Sequence, residues 1–135
     1  LMVRARVRAR LRLDDVCRDV VVLFDTGSSY TVMSARKFVG MFGEKFYRLP
    51  KPKRMKLING MDIVADKYVF LDLIVDRYQF ETILVYISDD IPEEIEIDGH
   101  KVKTPDLIIG APTMDELGIE VRRDGIAIVL GGIII

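Results

Sequence analysis

The chain has 135 residues, of which half are hydrophobic and 30% are charged, and its 20 basic and 21 acidic side chains leave a formal net charge of -1. This size and composition predict one globular domain over residues 1–135 and exclude a disordered tail. One cysteine, Cys17, excludes an internal disulfide framework, and one histidine, His100, leaves too few ligands for a usual zinc site.

The longest apolar stretch, "IAIVLGGIII" at residues 126–135, is about half as long as a membrane-spanning helix must be. We therefore expect no membrane association. The single cysteine and the lack of a recognisable signal peptide favour a reducing, cytoplasmic setting.

The first predicted element is a strand, because apolar residues and arginines alternate without interruption in "MVRARVRARLRL". Asp14 and Asp15 suit a turn, and "VCRDVVVLF" predicts a return strand that runs up to Asp25. A short helix is predicted in "ARKFVGMF", with Ser34 as N-cap and Gly43 at its end.

Beyond Pro50 and Pro52, the chain to residue 87 is rich in β-branched and aromatic residues and predicts three or four strands. Asn59-Gly60 predicts a two-residue hairpin turn, and Asp98-Gly99 predicts a second turn. "DLIIG" then predicts a short buried strand and "APTMDELG" a short helix, followed by more strand. The prediction is a mainly β protein with one or two short helices.

Two stretches carry a resemblance to a known family: "LFDTGSSYTVMS" and, about 80 residues later, "TPDLIIGAPTMDELGIEV". Their order and spacing resemble a retropepsin-like aspartic protease subunit of the cellular or prokaryotic kind, and "LINGMD" between them resembles the family's flap, the hairpin that closes over a bound peptide. The resemblance covers about residues 16–130. It implies an all-β, retropepsin-like acid protease fold, with a closed barrel-like subunit, a flap hairpin and a short C-terminal helix.

The same resemblance implies peptide-bond hydrolysis by two paired carboxylates, one acting as base toward water and the other as acid toward the carbonyl. Because the chain has one Asp-Thr-Gly, two chains are required, and a homodimer would pair Asp25 with its symmetry mate. We expect an endopeptidase acting on peptide or unfolded protein, with no metal, organic cofactor or nucleic-acid partner. The alternative is a dimeric protein-binding or scaffold module of the same fold that cleaves little or nothing.

The resemblance also implies roles for individual residues. The catalytic loop would hold Asp25, Thr26, whose side chain reaches the mate's backbone, and Gly27, which lets substrate approach. Residues implied to contact substrate are Ser28 and Ser29 after the loop, Ile58, Asn59, Gly60 and Met61 at the flap tip, Ile108 in a side-chain pocket and Asp106 near its rim. Viral members commonly carry an ion pair at the positions of Ser29 and Ala111, and here both charges are absent together.

Three features have competing interpretations. Asp25 is either a catalytic acid or an ordinary turn residue before glycine. The five arginines of the first strand either track phosphates or form a solvated face, paired with the acidic run from Asp89 to Asp98. The tail "GGIII" either joins an intersubunit sheet, as in the family, or is covered by a further segment of a longer protein.

Overall fold

The fold is described by a computed structural model that covers residues 3–129. Strands dominate this part of the chain, and the elements in order are β1 (Arg4–Leu13), β2 (Val16–Asp25), β3 (Val32–Ser34), α1 (Ala35–Phe42), β4 (Tyr47–Lys56), β5 (Asp62–Val75), β6 (Tyr78–Ser88), β7 (Glu94–Ile97), β8 (His100–Lys103), β9 (Leu107–Gly110), α2 (Ala111–Leu117), β10 (Ile119–Arg122) and β11 (Gly125–Ile128). The interpretations of the tail at residues 131–135 lie outside the described residues.

The strands close into a barrel. The order β1-β2-β9-β3-β6-β5 forms one hydrogen-bonded sheet, and residues 10–12 of β1 pair with residues 72–74 of β5 to complete the ring. β4 pairs with β5 and extends the sheet beyond the ring. The predicted all-β class, with a closed barrel and a short helix near the C-terminal end, is confirmed.

The hairpin of β1 and β2 fixes the position of Asp25. A two-residue turn at Asp14 and Asp15 joins the strands, as predicted, and the antiparallel register then continues without a bulge to the pair Arg4 and Asp25. Facing residues of an antiparallel pair project from the same side of the sheet. The last residue of β2 therefore shares its face with an arginine of β1.

β2 separates two hydrophobic clusters because successive side chains of a strand point to opposite faces. Val22 and Phe24, both fully buried, enter the main core of the barrel. Leu23 enters a second cluster on the other face, together with Ile108 of β9 and Leu57 of the β4–β5 connection. Asp25, two residues after Leu23, lies on the side of the second cluster.

Both predicted helices are present. α1 begins after Ser34 and ends before Gly43, and it buries Phe38 and Phe42 in the main core; the Ser34 hydroxyl makes no capping hydrogen bond. α2 ends at Gly118, whose φ of 70° provides the left-handed cap that glycine favours. Neither helix within residues 3–129 is long and apolar enough to cross a membrane.

One turn differs from its prediction. Asp98-Gly99 does form a two-residue turn between β7 and β8, with both residues at positive φ. Asn59-Gly60 does not form a two-residue turn. The N–H of Gly60 donates to the carbonyl of Leu57, and the N–H of Leu57 donates to the carbonyl of Met61, so the loop between Leu57 and Met61 has three residues. Only Gly60 takes positive φ there, at 82°, as in a type I turn that ends in a left-handed residue.

Candidate active site

Asp25 ends β2 with a side chain that is only 2% exposed. Its Oδ1 accepts a hydrogen bond from the N–H of Gly27 at 3.0 Å, and its carbonyl accepts one from the N–H of Ser28 at 3.1 Å. A turn aspartate commonly makes the contact to Gly27. Its burial is unlike that of a turn residue, because ionised carboxylates are rarely buried without a partner.

The partner is Arg4, which the sequence analysis missed. Its Nε lies 3.6 Å from Asp25 Oδ1, and this Nε is the only buried side-chain nitrogen or oxygen in residues 3–129 that lacks a hydrogen-bond partner. Asp25 Oδ2 accepts no hydrogen bond from the described chain. The carboxylate thus has one oxygen held by the protein and one without a hydrogen bond in residues 3–129.

The signal for this contact was present in the sequence. A two-residue turn at residues 14 and 15 pairs Leu13 with Val16, and counting outward from that pair places Arg4 opposite Asp25. The alternation of β1 marked Arg4 as one of five similar arginines, and only the register distinguishes it from the others.

β9 holds the loop after Asp25 in place. This strand lies between β2 and β3, parallel to the first and antiparallel to the second, and it pairs Gly110 with Asp25. A Cβ at Gly110 would lie 2.6 Å from the carbonyl oxygen of Ser28 and 2.8 Å from that of Tyr30. The glycine of "IIG" is therefore required by the close passage of the loop.

Further hydrogen bonds fix the same loop to β9 and α2. The N–H of Ala111 donates to the Ser28 carbonyl at 2.9 Å, and the N–H of Gly110 donates to Thr31 Oγ1 at 3.2 Å. Thr31 Oγ1 also lies 2.7 Å from Thr113 Oγ1. These contacts anchor the backbone around Asp25 to β9 and α2.

Thr26, Ser28 and Ser29 follow Asp25 in this loop. The Thr26 hydroxyl donates to the Val3 carbonyl at 3.0 Å and accepts from the Val3 N–H at 2.8 Å, so within one chain it joins the loop to the start of β1. Ser28 Oγ donates to the Tyr30 carbonyl at 2.9 Å. Ser29 is exposed and lines a cavity of about 400 Å³ between the loop, β6 and α2.

The β4–β5 connection forms the hairpin that resembles a flap. Ile58 is half-buried and packs against the second cluster, whereas Asn59, Gly60 and Met61 are exposed. The side chain of Asn59 stiffens the tip, because its Oδ1 accepts from the N–H of Met61 at 3.1 Å. The hairpin thus packs on the second cluster through Leu57 and Ile58 and presents an exposed tip that a side-chain hydrogen bond stiffens.

Ile108 and Asp106 lie in different surroundings. Ile108 is 2% exposed in the second cluster, on the face that Asp25 shares. Asp106 precedes the other end of β9, about 13 Å along the strand from Gly110. Its Oδ2 accepts from the N–H of Val21 at 2.7 Å and its Oδ1 pairs with Lys37 Nζ at 3.2 Å. The structure does not bring Asp106 to Asp25, and both of its oxygens already have partners.

Three of the five arginines of β1 are held by other residues. Arg4 Nη1 lies 3.5 Å from Asp98, Arg12 pairs with Asp72 at 3.0 Å, and Arg6 donates to the carbonyl of Lys103 at 3.2 Å. Of the acidic run predicted to face this strand, only Asp98 pairs with one of its arginines in the described chain, whereas Glu93 pairs with Arg36 and Asp89 pairs with Lys67. The arginines at both ends of β1 are therefore engaged in contacts within the fold.

Comparison with known proteins gives a likeness of structure only. No protein-family model and no curated protein sequence matches the chain. One similar solved structure is the crystal structure of a retropepsin-like aspartic protease from Rickettsia conorii, with 13% sequence identity and a TM-score of 0.49 over 92% of this chain and 95% of that chain.

The geometry of the site defines what one chain can contribute chemically. Within the described residues it offers a single buried carboxylate on an anchored loop, with Oδ1 engaged by Gly27 and Arg4 and with no hydrogen bond to Oδ2. Such a carboxylate can accept a proton from a bound water, or donate one when it is protonated. One chain supplies one of these roles at a time, because it contributes one carboxyl group to the site.

Proposed function

We propose that the protein is an aspartic endopeptidase that acts as a homodimer, with Asp25 from each subunit forming a carboxylate pair. The pair shares one proton, so that the ionised carboxylate takes a proton from the attacking water while the protonated one donates to the peptide carbonyl. The intermediate is the hydrated amide, with no covalent bond to the enzyme.

The observation that carries this proposal is the state of Asp25. A buried carboxylate that serves only a turn would have both oxygens satisfied, because an unsatisfied buried acceptor costs stability. Here the loop fixes Oδ1, and Oδ2 accepts no hydrogen bond within the described chain. This arrangement suits an acid that must meet a water, a substrate carbonyl and a second carboxylate.

The position of the flap hairpin supports an extended polypeptide as substrate. Leu57 and Ile58 pack on the cluster that contains Leu23 and Ile108, which lie two residues before Asp25 and Gly110 on the same faces of their strands. A peptide crossing Asp25 would therefore lie on the side of the barrel that carries the flap. Main-chain hydrogen bonds from such a hairpin bind extended peptides with little dependence on sequence.

The test is cleavage of an unstructured polypeptide from acidic to neutral pH, with and without pepstatin. Asp25→Asn keeps the shape of the side chain and removes its acid–base chemistry, so we expect the rate to fall about 100-fold or more. Asp76→Asn is the control, because Asp76 lies in the β5–β6 turn at a φ of 52° that asparagine tolerates. Cleavage that continues unchanged in Asp25→Asn would refute the assignment.

One observation favours the alternative, a dimeric binding module that cleaves little or nothing. The guanidinium of Arg4 lies 3.6 Å from Asp25, and an ion pair within one chain can serve the fold alone. The same assay separates the two functions. A binding module would retain an unstructured polypeptide at every pH without shortening it, and Asp25→Asn would bind equally well.

A further inference from the structure

Arg4 links the candidate catalytic acid to a second hairpin. Its side chain is 21% exposed, its Nε lies 3.6 Å from Asp25 Oδ1, and its Nη1 lies 3.5 Å from Oδ2 of Asp98 at the tip of the β7–β8 hairpin. The buried Nε has no hydrogen-bond partner among the described residues. At 3.6 Å it lies just beyond hydrogen-bond distance of Oδ1, so a small rotation of either side chain would make the bond.

Within residues 3–129, few other charges surround this pair. A depression of about 460 Å³ beside it is lined by the charged or titratable residues Arg4, Arg6, Asp98 and His100 and by the apolar Leu23, Ile97 and Val102. In β9, Gly110 pairs with Asp25, and α2 begins at the next residue, Ala111. Neither residue carries a charge. Arg4 is thus the cation in direct contact with the carboxylate, and Asp98 is the anion that shares it.

We propose that Arg4 is a positioning residue for Asp25, which holds Oδ1 so that Oδ2 faces the reaction and which lowers the pH range in which the carboxylate pair can work. This proposal rests on the proposed function. A pair that shares one proton becomes inactive when it loses that proton, and a guanidinium beside each carboxylate favours the loss. Asp98 moderates the effect, because it neutralises part of the charge of Arg4.

The test compares Arg4→Gln, Arg4→Lys and Asp98→Asn by two measurements. The first is the pH dependence of kcat/KM for polypeptide cleavage, and the second is the pH titration of the carboxyl carbon of Asp25 by NMR, assigned with Asp25→Asn. We expect Arg4→Gln to move the alkaline limb of activity and the titration midpoint upward by about one pH unit. Arg4→Lys keeps the charge and should stay closer to the unmodified protein.

Asp98→Asn gives a prediction of opposite sign. It removes an anion beside Arg4 and leaves Asp25 as that arginine's ion-pair partner in the described chain, so both measurements should move to lower pH. Arg8→Gln is the matched control, because Arg8 is an exposed arginine on the same strand that lies opposite Val21. It should leave both measurements unchanged.

The NMR titration keeps this inference separate from the proposed function. If no variant cleaves but Arg4→Gln still moves the titration of Asp25 upward, the contact is confirmed and the endopeptidase proposal fails. If Arg4→Gln is folded by circular dichroism and titrates at the same pH as the unmodified protein, the role of Arg4 is refuted. Should Arg4→Gln not fold, a downward shift in Asp98→Asn supports the role, and an unchanged midpoint refutes it.

Discussion

Gly110 shows how one residue can hold the candidate site together. It pairs with Asp25 in the sheet, and the loop after Asp25 passes so closely that a Cβ would meet two backbone carbonyl oxygens, those of Ser28 and Tyr30. Backbone atoms held by Ala111 and by neighbouring strands have little freedom to move aside. A side chain at position 110 should therefore lower the stability of the protein and also displace Asp25.

We predict that Gly110→Ala lowers the free energy of unfolding by about 1–3 kcal/mol, the usual cost of forcing extra atoms into a packed site. Urea denaturation measures this loss, and the cleavage assay should show reduced kcat. Gly40→Ala is the control, because Gly40 lies in α1 with no atom within 4 Å of the added Cβ. Alanine is the better helix former, so this control should stabilise the protein. Equal stability of the two variants would contradict the prediction.

Lys67 is a second residue with an identifiable energetic role. It is 6% exposed on β5, and its Nζ lies 2.8 Å from a carboxylate oxygen of both Asp66 and Asp89. Burial disfavours the charged lysine, but the hydrogen bonds to the two carboxylates outweigh this effect and raise the pKa of Lys67. The hydrogen bond from Lys67 in turn lowers the pKa of Asp66.

These shifts predict how the contribution of Lys67 varies with pH. The lowered pKa of Asp66 adds stability above its ordinary value of 3.8, which is lost as the pH falls through the lowered value. The raised pKa of Lys67 adds stability below its ordinary value of 10.5, which is lost as the pH rises through the raised value. The group should therefore stabilise the fold between these limits.

We predict that Lys67→Met costs about 1 kcal/mol at neutral pH, a modest value because both carboxylates keep contact with water. The difference from the unmodified protein should shrink below pH 3.8, where Asp66 becomes protonated in the unfolded chain. Urea denaturation of both proteins at several pH values measures this difference in stability. Lys56→Met, which removes an exposed pair with Asp62, serves as control and should have a smaller effect. A difference that does not vary with pH would be inconsistent with this account.

At the scale of elements, the β4–β5 hairpin combines a fixed base with a tip that requires glycine. Leu57 and Ile58 fix its base on the second cluster, and the tip depends on Gly60 at a φ of 82°. No atom lies within 4 Å of a Cβ added there, so a side chain would cost backbone strain alone. The strain falls on the segment proposed to close over the substrate.

We predict that Gly60→Ala lowers stability by about 1 kcal/mol, the usual cost of a left-handed residue with a side chain. It should also lower kcat/KM, because a flap with a displaced tip closes less well. Gly43→Ala is the control, since Gly43 also has a positive φ, 78°, and lies at the end of α1, away from the hairpin. With a ψ of -164° this position is even less tolerant of a side chain, so the control should lose at least as much stability and keep its kcat/KM. Equal kinetic losses in both variants would count against a flap role.

The elements also show what could be predicted from the sequence and what could not. β1, β2 and α1 were predicted with nearly their observed ends, because alternation, turn residues and glycine caps act within a few residues of each other. Asn59-Gly60 was assigned the wrong turn, because the same dipeptide fits a loop of two residues or of three. Local chemistry did not decide how the flanking strands pair.

The site was predicted less completely than the fold. Asp25 and the glycine of "IIG" could be found from their motifs, but the contact of Arg4 with Asp25 depends on the register of a long hairpin. The surroundings of Asp106 depend on Lys37 of α1, which only the tertiary fold brings close. Contacts between residues far apart in sequence can be identified only from the packed structure, whereas periodic patterns can be recognised in the sequence itself.

At the scale of the whole molecule, the proposed reaction needs more than one chain provides. The described residues hold one Asp-Thr-Gly loop, and within them Oδ2 of Asp25 accepts no hydrogen bond. Two identical chains related by a twofold axis would bring the same surface of each subunit together. Activity would then be a property of the pair, and each active assembly would need two intact copies of Asp25.

We predict that excess Asp25→Asn subunits suppress the activity of the unmodified protein. If subunits exchange freely, a tenfold excess leaves only about a tenth of the unmodified subunits paired with each other. Specific activity per unmodified subunit should fall by about the same factor once exchange is complete. Asp76→Asn added in the same excess keeps Asp25 and should not suppress activity. If activity in the Asp25→Asn mixture equals that of the unmodified protein alone, after light scattering has shown that subunits exchange, then a single chain carries the whole reaction and the carboxylate pair is excluded.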